Sequence, residues 1–319
     1  MPLISFIVTY HNEPEAYLRA CLESIWSLPL AEEEAEVIVV DDGSKAPRTP
    51  SNSPLKGEKQ VLDEVNPLPL REGWGGSVLI RQEQAGLSVA RNTGIANARG
   101  KYIQFVDADD QLIPAAYEAV IGQIRKEEAD VVMFRMMTAP LCLPRGTAPL
   151  CLPRGGVSLN EKRGGAFFLR HRNLRAAACG YAFRREILGD LRFHPGLLHE
   201  DELFTPQLFL RAGTVVELDE KAYFYRQHSG TITHSASPEQ VKKRLDDIHF
   251  ILNALQAKGE PLLERRIHQL TVDYMQKTWT LTHSLSELRR RCSELRKEGF
   301  LPLPVRCYSL RYLAYSLFL

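Results

Sequence analysis

Two clusters of acidic residues follow short apolar runs of the kind that form buried strands. Asp41-Asp42-Gly43-Ser44 comes directly after residues 36–40, and Asp107-Ala108-Asp109-Asp110 comes directly after residues 102–106. Gathered carboxylates are costly to fold, because like charges repel and burial removes their hydration. A fold accepts that cost where a divalent cation or a polar ligand neutralises the charge. Solvated acidic turns are the alternative, but two clusters in the same setting favour ligand binding.

The elements expected around these clusters alternate between strand and helix, as a parallel sheet with crossover helices requires. Strands are predicted at 3–10, 36–40, 78–81 and 130–134. Helices are predicted to start at Pro14, to run from a Ser88 cap to about Arg99 before Gly100, and to cover 115–128. Because ligands bind at the carboxyl ends of strands in open α/β sheets, we expect both acidic clusters at that edge.

Four motifs then occur in the order found in family 2 glycosyltransferases, which this chain resembles over about its first 235 residues. They are residues 4–13 (ISFIVTYHNE), 39–44 (VVDDGS), 86–92 (GLSVARN) and 105–110 (FVDADD). The resemblance implies an α/β fold of the GT-A type, with a Rossmann-like, mostly parallel central sheet. It also implies an inverting mechanism, a nucleotide-sugar donor and usually a divalent metal.

The resemblance places a nucleotide-sugar site at the ends of the first strands. Asp41 is expected to accept the N–H of a uracil ring or a ribose hydroxyl, and the loop after the first strand is expected to frame the base. The alternative for Glu13 and Asp42 is a solvated acid at a helix start, and for Arg91 an ordinary surface arginine. The candidates are Thr9, Tyr10, Asn12, Glu13, Asp41, Asp42, Arg91 and Asp107.

The second cluster contains the D-x-D pattern of a metal site. Mg²⁺ and Mn²⁺ are hard cations that bind carboxylate and phosphate oxygens together. On extended backbone, Asp107 and Asp109 would point their carboxylates to one side. The resemblance makes Asp109 the more direct metal ligand, with Asp107 near the ribose or the metal. His228 is a further candidate for the metal or the diphosphate, against the alternative of a structural histidine.

A third acidic motif, His199-Glu200-Asp201-Glu202, resembles the Glu-Asp motif that supplies the general base in this family. Asp201 is predicted to start a helix and to act as the base, with Glu200 as the alternative carboxylate. The competing interpretation is an acid that interacts only with the helix dipole.

The resemblance implies a hexosyltransferase that moves a sugar from a nucleotide sugar, expected to be a UDP-sugar, to a hydroxyl of a glycan or lipid-linked glycan. A role in cell-surface polysaccharide synthesis is expected by analogy with small members of the family. A sugar-phosphate nucleotidyltransferase would need a glycine-rich phosphate loop near the N-terminus, and residues 1–15 contain no glycine. A non-catalytic nucleotide-sugar or glycan-binding protein would be expected to have lost acids from these clusters, and all are present.

Composition favours one catalytic domain with a helical extension. The formal net charge of +1 argues against nucleic-acid binding, but residues 236–319 hold 14 Lys and Arg against 9 Asp and Glu. We predict a catalytic domain over 1–235 and a helical region over 236–319.

Arg289-Arg290-Arg291 and the Tyr- and Leu-rich end predict a helix lying on a membrane surface, with packing on the catalytic domain or a second subunit as the alternative.

Cysteine usage and hydropathy predict a cytoplasmic protein, at most peripheral on the inner face of the cell membrane. The six cysteines form no C-x-x-C pair and no zinc-type spacing. The first predicted strand begins almost at Met1, which leaves no space for a secretory signal. No window approaches 18 consecutive apolar residues, so no membrane-spanning helix is expected.

A nonapeptide, TAPLCLPRG, occurs twice in tandem at 138–146 and 147–155. Two proline-rich copies indicate a duplication tolerated in a loop rather than a structural repeat.

Deleting 147–155 should change the free energy of unfolding by only about 0.6 kcal/mol, because loop length enters the closure entropy logarithmically. Thermal melting and activity of the deletion variant check this, and a much larger loss of either would show that the second copy packs against the fold.

Overall fold

The computed structural model describes residues 1–44, 77–138, 162–227 and 237–318. They form two compact units. Unit 1 comprises Met1–Gly164, Ala177–Gly196 and Arg211–His228; unit 2 comprises Gly165–Ala176, Leu197–Leu210 and Ser229–Leu319. Two segments before residue 236 therefore group with the C-terminal helices, and the domain boundary at 235/236 stays a prediction. His228, residues 45–76 and the repeat from residue 139 onward lie outside the described residues.

Unit 1 is built on an eight-stranded sheet in the order β3-β2-β1-β4-β7-β6-β8-β5. All but two strands run in the same direction; β7 and β5 are antiparallel to their neighbours. The α/β fold class predicted from the sequence is thereby confirmed. The strands are β1 (Ile4–Tyr10), β2 (Ala35–Asp42), β3 (Ser77–Gln82), β4 (Tyr102–Asp107), β5 (Gln111–Leu112), β6 (Val131–Thr138), β7 (Tyr181–Arg184) and β8 (Val215–Tyr225).

Three helices of unit 1 connect these strands: α1 (Glu15–Trp26), α2 (Leu87–Asn97) and α3 (Pro114–Lys126). In α1 the apolar residues Leu18, Leu22 and Ile25 recur at helical spacing and are fully buried. Pro14 and Pro114 sit at helix starts, where a missing N–H costs nothing. The alternation expected from the sequence thus produces the crossover connections that a parallel sheet needs.

The predicted ends of α2 were wrong. Gly86, with φ +91°, is the cap residue, and Ser88 lies buried inside the first turn. The helix stops at Asn97 because Ala98 returns to extended backbone. Gly100 serves a different purpose: its N–H donates to Ser5 Oγ at 2.8 Å, and a Cβ there would meet the Ser5 nitrogen at 2.5 Å. Gly100 therefore lets the chain pass close to β1.

The core of unit 1 explains why apolar residues predominate in the central strands. β1, β2 and β4 are buried along nearly their whole length. Tyr117 of α3 packs against Phe6 and Phe134 at centroid distances of 6.0 and 5.7 Å. Strands covered on both faces are expected to be continuous apolar runs, as in other parallel sheets.

The described part of unit 2 contains helices and connecting loops but no strand. Its helices are α4 (Gly165–His171), α5 (Asp201–Arg211), α6 (Pro238–Gln256), α7 (Glu264–Thr282), α8 (Leu285–Lys297) and α9 (Leu310–Phe318), with Arg211 itself in unit 1. A capping box starts α6, in which the Ser237 side chain accepts from the Gln240 N–H and the Gln240 side chain accepts from the Ser237 N–H. None of the described helices is long and apolar enough to cross a membrane.

The basic residues of the C-terminal region are largely committed to contacts inside unit 2. Arg291 is 5% exposed and pairs with Glu287 and Asp246. Arg290 pairs with Glu287, and Arg311 of α9 pairs with Asp273 of α7. Arg290 and Arg311 stay half-exposed, but Arg291 is buried and the pairing of Arg311 with Asp273 joins α9 to α7. These contacts support packing inside unit 2 as the role of the tail.

We therefore expect the full-length protein to stay in the supernatant when it is sedimented with anionic liposomes at low salt. The matched variant is Leu310→Ser with Leu317→Ser, since these side chains are 82% and 61% exposed and their loss leaves the core intact. Pelleting of the wild type but not of the double variant would contradict the packing role and restore the membrane-surface prediction.

Candidate active site

Strand register brings the donor-side candidates together at one edge of the sheet. In the β1–β2 pair Tyr10 is opposite Asp41, and in the β1–β4 pair Thr9 is opposite Asp107. These positions are the carboxyl ends of three adjacent parallel strands, where α/β sheets bind ligands. The expected meeting of the two acidic clusters is thus a consequence of register.

Asp41 lies in a partly enclosed position at the end of β2. It is 8% exposed, its Oδ1 accepts the Ser44 N–H at 2.9 Å, and Arg81 of β3 lies 3.6 Å from Oδ2. Burial, together with the charges of Asp41 and Glu13, raises the pKa of Tyr10. A neutral phenol beside a carboxylate offers both a donor and acceptors, which suits a nucleoside with polar edges.

Asp42 uses both of its carboxylate oxygens to hold the loop before α2. Oδ1 accepts from Gln82 Nε2 and from the Ala85 N–H, and Oδ2 accepts from the Gly86 N–H, each at 2.8 Å. The residue is only 5% exposed, so it is not a solvated acid. These contacts give Asp42 a structural role, and nucleotide binding by Asp42 stays a prediction.

Asp42→Ala should lower the free energy of unfolding by about 2–4 kcal/mol, because three donors lose a buried charged acceptor. Asp42→Asn should cost less, since its carbonyl still accepts while its amide faces the Gly86 N–H. Urea unfolding of both variants measures this. A loss below about 0.5 kcal/mol for the alanine variant, typical of a surface site, would contradict the structural role.

The loop after β1 is ordered by hydrogen bonds to residues at the end of β2 and by one within the loop itself. His11 Nδ1 lies 2.7 Å from the Asp42 carbonyl, and the Asn12 N–H donates to Ser44 Oγ at 2.9 Å, with Asn12 at φ +60°. Glu13 is half-buried and accepts the His11 N–H at 2.5 Å. Burial and, to a smaller extent, the charge of Asp109 raise its pKa. Glu13 therefore belongs to the electrostatic surroundings of the second acidic cluster.

Arg91 is a buried residue of the site rather than a surface arginine. It projects from α2, is 4% exposed, and donates from Nη2 to Asp107 Oδ1 at 3.0 Å. Its guanidinium lies 5.7 Å from the Phe105 ring centre and 5.4 Å from that of Phe193. Two aromatic rings and an ion pair fix this cation, so Arg91 holds the carboxylate of Asp107 in place.

The D-x-D segment is a turn, and the expectation of extended backbone was wrong. Asp107 is the last residue of β4, and the Asp110 N–H closes the turn by donating to the Asp107 carbonyl at 2.9 Å. Asp107 and Asp109 stay partly exposed, whereas Asp110 is fully buried. The turn therefore separates two accessible carboxylates from one that anchors it.

Asp110 and Tyr223 form the anchor of this turn, a role that the sequence did not reveal. Asp110 Oδ2 accepts from the Tyr223 hydroxyl at 2.7 Å, and Oδ1 accepts from the Arg226 N–H at 2.8 Å. The same hydroxyl accepts the Asp107 N–H at 3.1 Å. Burial, with the charges of Asp107 and Asp109, raises the pKa of Asp110 to about 8. Burial and the neighbouring carboxylates thus disfavour the charged form of Asp110.

Arg226 is a second residue of the site that sequence analysis did not single out. Its Nε donates to the Asp109 carbonyl at 2.8 Å, and its guanidinium lies 4.3 Å from the Tyr17 ring centre. It therefore places a positive charge beside the metal-site candidates. A signal was available, since Arg226 follows the strand-like run 223–225 two positions before His228.

The turn at residues 107–110, called the acidic turn from here on, fits a metal that is bound only partly by protein atoms. Within the described ranges no group of three or more His, Cys, Asp and Glu side chains is arranged to hold a metal ion. Magnesium-type sites often use one or two carboxylates together with substrate phosphates. Asp107 and Asp109 are accessible oxygen donors of this kind. Their charges, which together with the larger effect of burial raise the pKa of Asp110, are what a cation would neutralise.

The general-base candidates lie in the other compact unit. Glu200 is 5% exposed and precedes α5, and Asp201 is the first residue of that helix, as expected. The Glu200 carbonyl accepts the N–H groups of Leu203 and Phe204 at 3.2 and 3.1 Å. Asp201 and Glu200 therefore belong to unit 2, whereas the candidates from Thr9 to Asp109 belong to unit 1.

Solved structures resemble the fold over almost the whole chain. S. aureus TarS 1-349 in complex with UDP-GlcNAc covers 97% of this chain and 95% of its own, with a TM-score of 0.61 and 16% identity. The mannosyltransferase PcManGT from Pyrobaculum calidifontis, in complex with GDP-Man and Mn²⁺, covers 99% and 86%, with a TM-score of 0.51 and 14% identity. These likenesses show a fold of the GT-A type.

Sequence comparison identifies the family. Glycosyltransferase GlyA of Streptococcus pneumoniae is 26% identical over 266 residues, which are 81% of this chain but only 35% of GlyA. The family model described as glycosyl transferase family 2 matches residues 5–192, a range that contains Asp41, Arg91 and the acidic turn. With more than half of its length matched, the chain belongs to glycosyl transferase family 2.

Proposed function

We propose that this protein transfers a sugar from a UDP-sugar, with inversion, to a hydroxyl of a glycan or lipid-linked glycan in cell-surface polysaccharide synthesis. The observation that carries the proposal is the convergence of Asp41, Asp107 and the buried Arg91 at the carboxyl ends of adjacent parallel strands. Family membership supports the reaction class. The acceptor class is proposed by analogy with a relative, the minor teichoic acid biosynthesis protein GgaB of Bacillus subtilis, which is 31% identical over 130 residues, 40% of this chain and 13% of GgaB.

The donor nucleotide would be bound by groups that are already ordered. The carboxylate of Asp41 would accept the N–H of a uracil ring or a ribose hydroxyl, next to the neutral phenol of Tyr10. Asp107 is held by Arg91 and by its N–H contact to Tyr223, so it can accept a ribose hydroxyl without rearranging. Preorganised groups of this kind reduce the ordering cost of binding.

The leaving diphosphate would be neutralised at the acidic turn. Asp109, with Asp107, would hold Mg²⁺ or Mn²⁺, and when bound such an ion acts as a Lewis acid that stabilises charge on the diphosphate. Arg226 adds a fixed positive charge from the protein, attached to the Asp109 carbonyl. His228 stays a predicted ligand, since it lies outside the described residues.

Deprotonation of the acceptor hydroxyl is assigned to Asp201, with Glu200 as the alternative. The carboxylate of Asp201 would take the proton as the hydroxyl oxygen attacks the anomeric carbon and the bond to the diphosphate breaks. Direct displacement of this kind inverts the anomeric configuration. The assignment is supported by the Glu-Asp motif at the start of α5.

A donor screen tests the proposal. UDP-glucose, UDP-galactose, UDP-N-acetylglucosamine and GDP-mannose are incubated with the protein, with and without Mn²⁺, and release of UDP or GDP is measured beside thermal shifts. We expect metal-dependent release from a UDP-sugar. A thermal shift without release would favour a non-catalytic binding protein. Formation of UTP and a sugar 1-phosphate from the UDP-sugar and added pyrophosphate would favour a nucleotidyltransferase.

A further inference from the structure

The turn that leads into the first residues of α5 is attached at both ends to helices of the C-terminal region. At its start the Leu198 N–H donates to Asp247 Oδ2 of α6 at 2.8 Å. At its end the carboxylate of Glu202 forms an ion pair with Arg266 of α7. Asp201 lies between these two attachments, and all of these residues belong to unit 2. We call residues 198–202 the α5 turn.

Both attachments are made by buried side chains with further partners. Asp247 is 9% exposed and also accepts from Lys243 Nζ at 2.8 Å. Arg266 is 8% exposed, and its Nη1 donates to the Leu174 carbonyl at 3.2 Å. Exposed ion pairs contribute little because solvent competes with them, but buried and multiply bonded groups restrict each other strongly. These two side chains can therefore fix the turn.

The turn itself needs such support, because its backbone is strained. His199 adopts φ +63°, a left-handed conformation that side chains with a Cβ rarely take. Strained residues of this type persist where the surrounding structure holds them, and they concentrate at functional sites. Burial, with the charges of Lys277 and Arg244, also lowers the pKa of His199 to about 4, so the imidazole is neutral and adds no positive charge.

We propose that Asp247 and Arg266 are positioning residues for catalysis, which hold the α5 turn and thereby orient the carboxylate of Asp201. Arg266 also neutralises Glu202, the neighbour whose charge would otherwise repel that of Asp201. The inference rests on the proposed role of Asp201 as general base. It makes α6 and α7 part of the catalytic apparatus, although they lie beyond residues 5–192, where the family match ends.

Hydrogen exchange and kinetics of matched variants test this. Arg266→Met is compared with Arg265→Met. Arg265 is an adjacent α7 arginine that contacts the Arg170 carbonyl, the Asn173 side chain and the Tyr308 ring. Asp247→Ala is compared with Asp246→Ala, a neighbour that pairs with Lys242 and Arg291. Amide exchange is followed in peptides covering 198–206. Turnover is followed as nucleotide release from the best donor of the screen, and UDP affinity by calorimetry with Mn²⁺.

Arg266→Met and Asp247→Ala should accelerate exchange in the α5 turn and lower turnover by about 10- to 100-fold, the usual effect of misplacing a reacting group by about 1 Å. UDP affinity should not change, because the donor candidates lie in unit 1. Arg266→Lys should restore part of the turnover. The two control variants should match the wild type in all three measurements.

Should Arg266→Met fail to fold, Glu202→Gln with Arg266→Met removes both charges, which usually preserves folding, while still breaking the attachment. Unchanged exchange in the α5 turn, or faster exchange with unchanged turnover, would overturn the inference. Asp201→Asn is measured in parallel. Full turnover in that variant would instead refute the general base of the proposed function, so the two failures are distinguishable.

Discussion

Asp109→Ala should abolish turnover while the protein stays folded and its melting temperature stays equal or rises. Asp109 is one of the two accessible carboxylates of the acidic turn, and its removal takes away a direct ligand of the proposed metal. Its negative charge is also one cause of the raised pKa of Asp110. Removing that charge relieves repulsion in the metal-free protein, so the loss of activity should come without a loss of stability.

The pH dependence of this stability difference follows from Asp110. Its pKa is raised from 3.8 to about 8 in the folded protein, so the native state binds the proton more tightly than the unfolded state. Stability is therefore lost as pH rises between these values, and Asp109→Ala should reduce that loss. Melting of the metal-free proteins at about pH 5 and about pH 8 measures the difference, which should be larger at the higher pH.

Asp219→Ala is the matched control, since Asp219 is a half-exposed carboxylate of β8 that pairs with Arg135. It should retain full turnover. Affinity for Mn²⁺ in the presence of UDP is measured for both variants. If Asp109→Ala kept more than about a tenth of wild-type turnover at saturating Mn²⁺, the loss would be too small for a direct metal ligand, and the assignment would be wrong.

Sequence patterns predicted the sheet edge because each strand follows from local hydrophobicity and the carboxyl ends of parallel strands meet at one edge. The apolar runs before Asp41 and Asp107 became β2 and β4, and parallel pairing with β1 placed their ends together. The family resemblance added the order of the motifs. The apolar runs and the motifs can be recognised in the sequence itself, which explains why they could be predicted without structural information.

The support around those acids could not be predicted, because it depends on residues far apart in the chain. Tyr223 contacts both Asp107 and Asp110 across more than a hundred positions. Arg91 became a buried residue because Phe193 packs beside it. The turn at the D-x-D segment also overrode the extended backbone expected from spacing, since closure by the Asp110 N–H requires the chain to fold back after β4.

The same limit applies to the start of α5. The sequence correctly predicted a helix beginning at Asp201, since acids are favoured in a first turn. The sequence gave no sign that Asp247 and Arg266 attach to the α5 turn, because those two residues occupy ordinary positions in amphipathic helices. Only tertiary packing distinguishes Arg266 from its neighbour Arg265.

Asp201→Asn should keep UDP affinity and lose transfer by about 10²–10⁴-fold, the range expected for loss of a general base. The substitution is nearly isosteric, so the helix start should keep its shape. Turnover is measured by nucleotide release, and UDP affinity with Mn²⁺ by calorimetry. We expect kcat to fall with little change in donor binding, because the amide still fills the same space but cannot accept a proton.

Glu239→Gln is the matched control, because Glu239 is an exposed acid in the first turn of α6. If Asp201 served only the helix dipole, both substitutions would cost about 0.3–1 kcal/mol of stability and leave turnover unchanged. If UDP affinity collapsed in Asp201→Asn, the carboxylate would belong to donor binding. The base would then be sought at Glu200, whose buried position next to Asp201 makes Glu200→Gln the variant that decides between the two carboxylates.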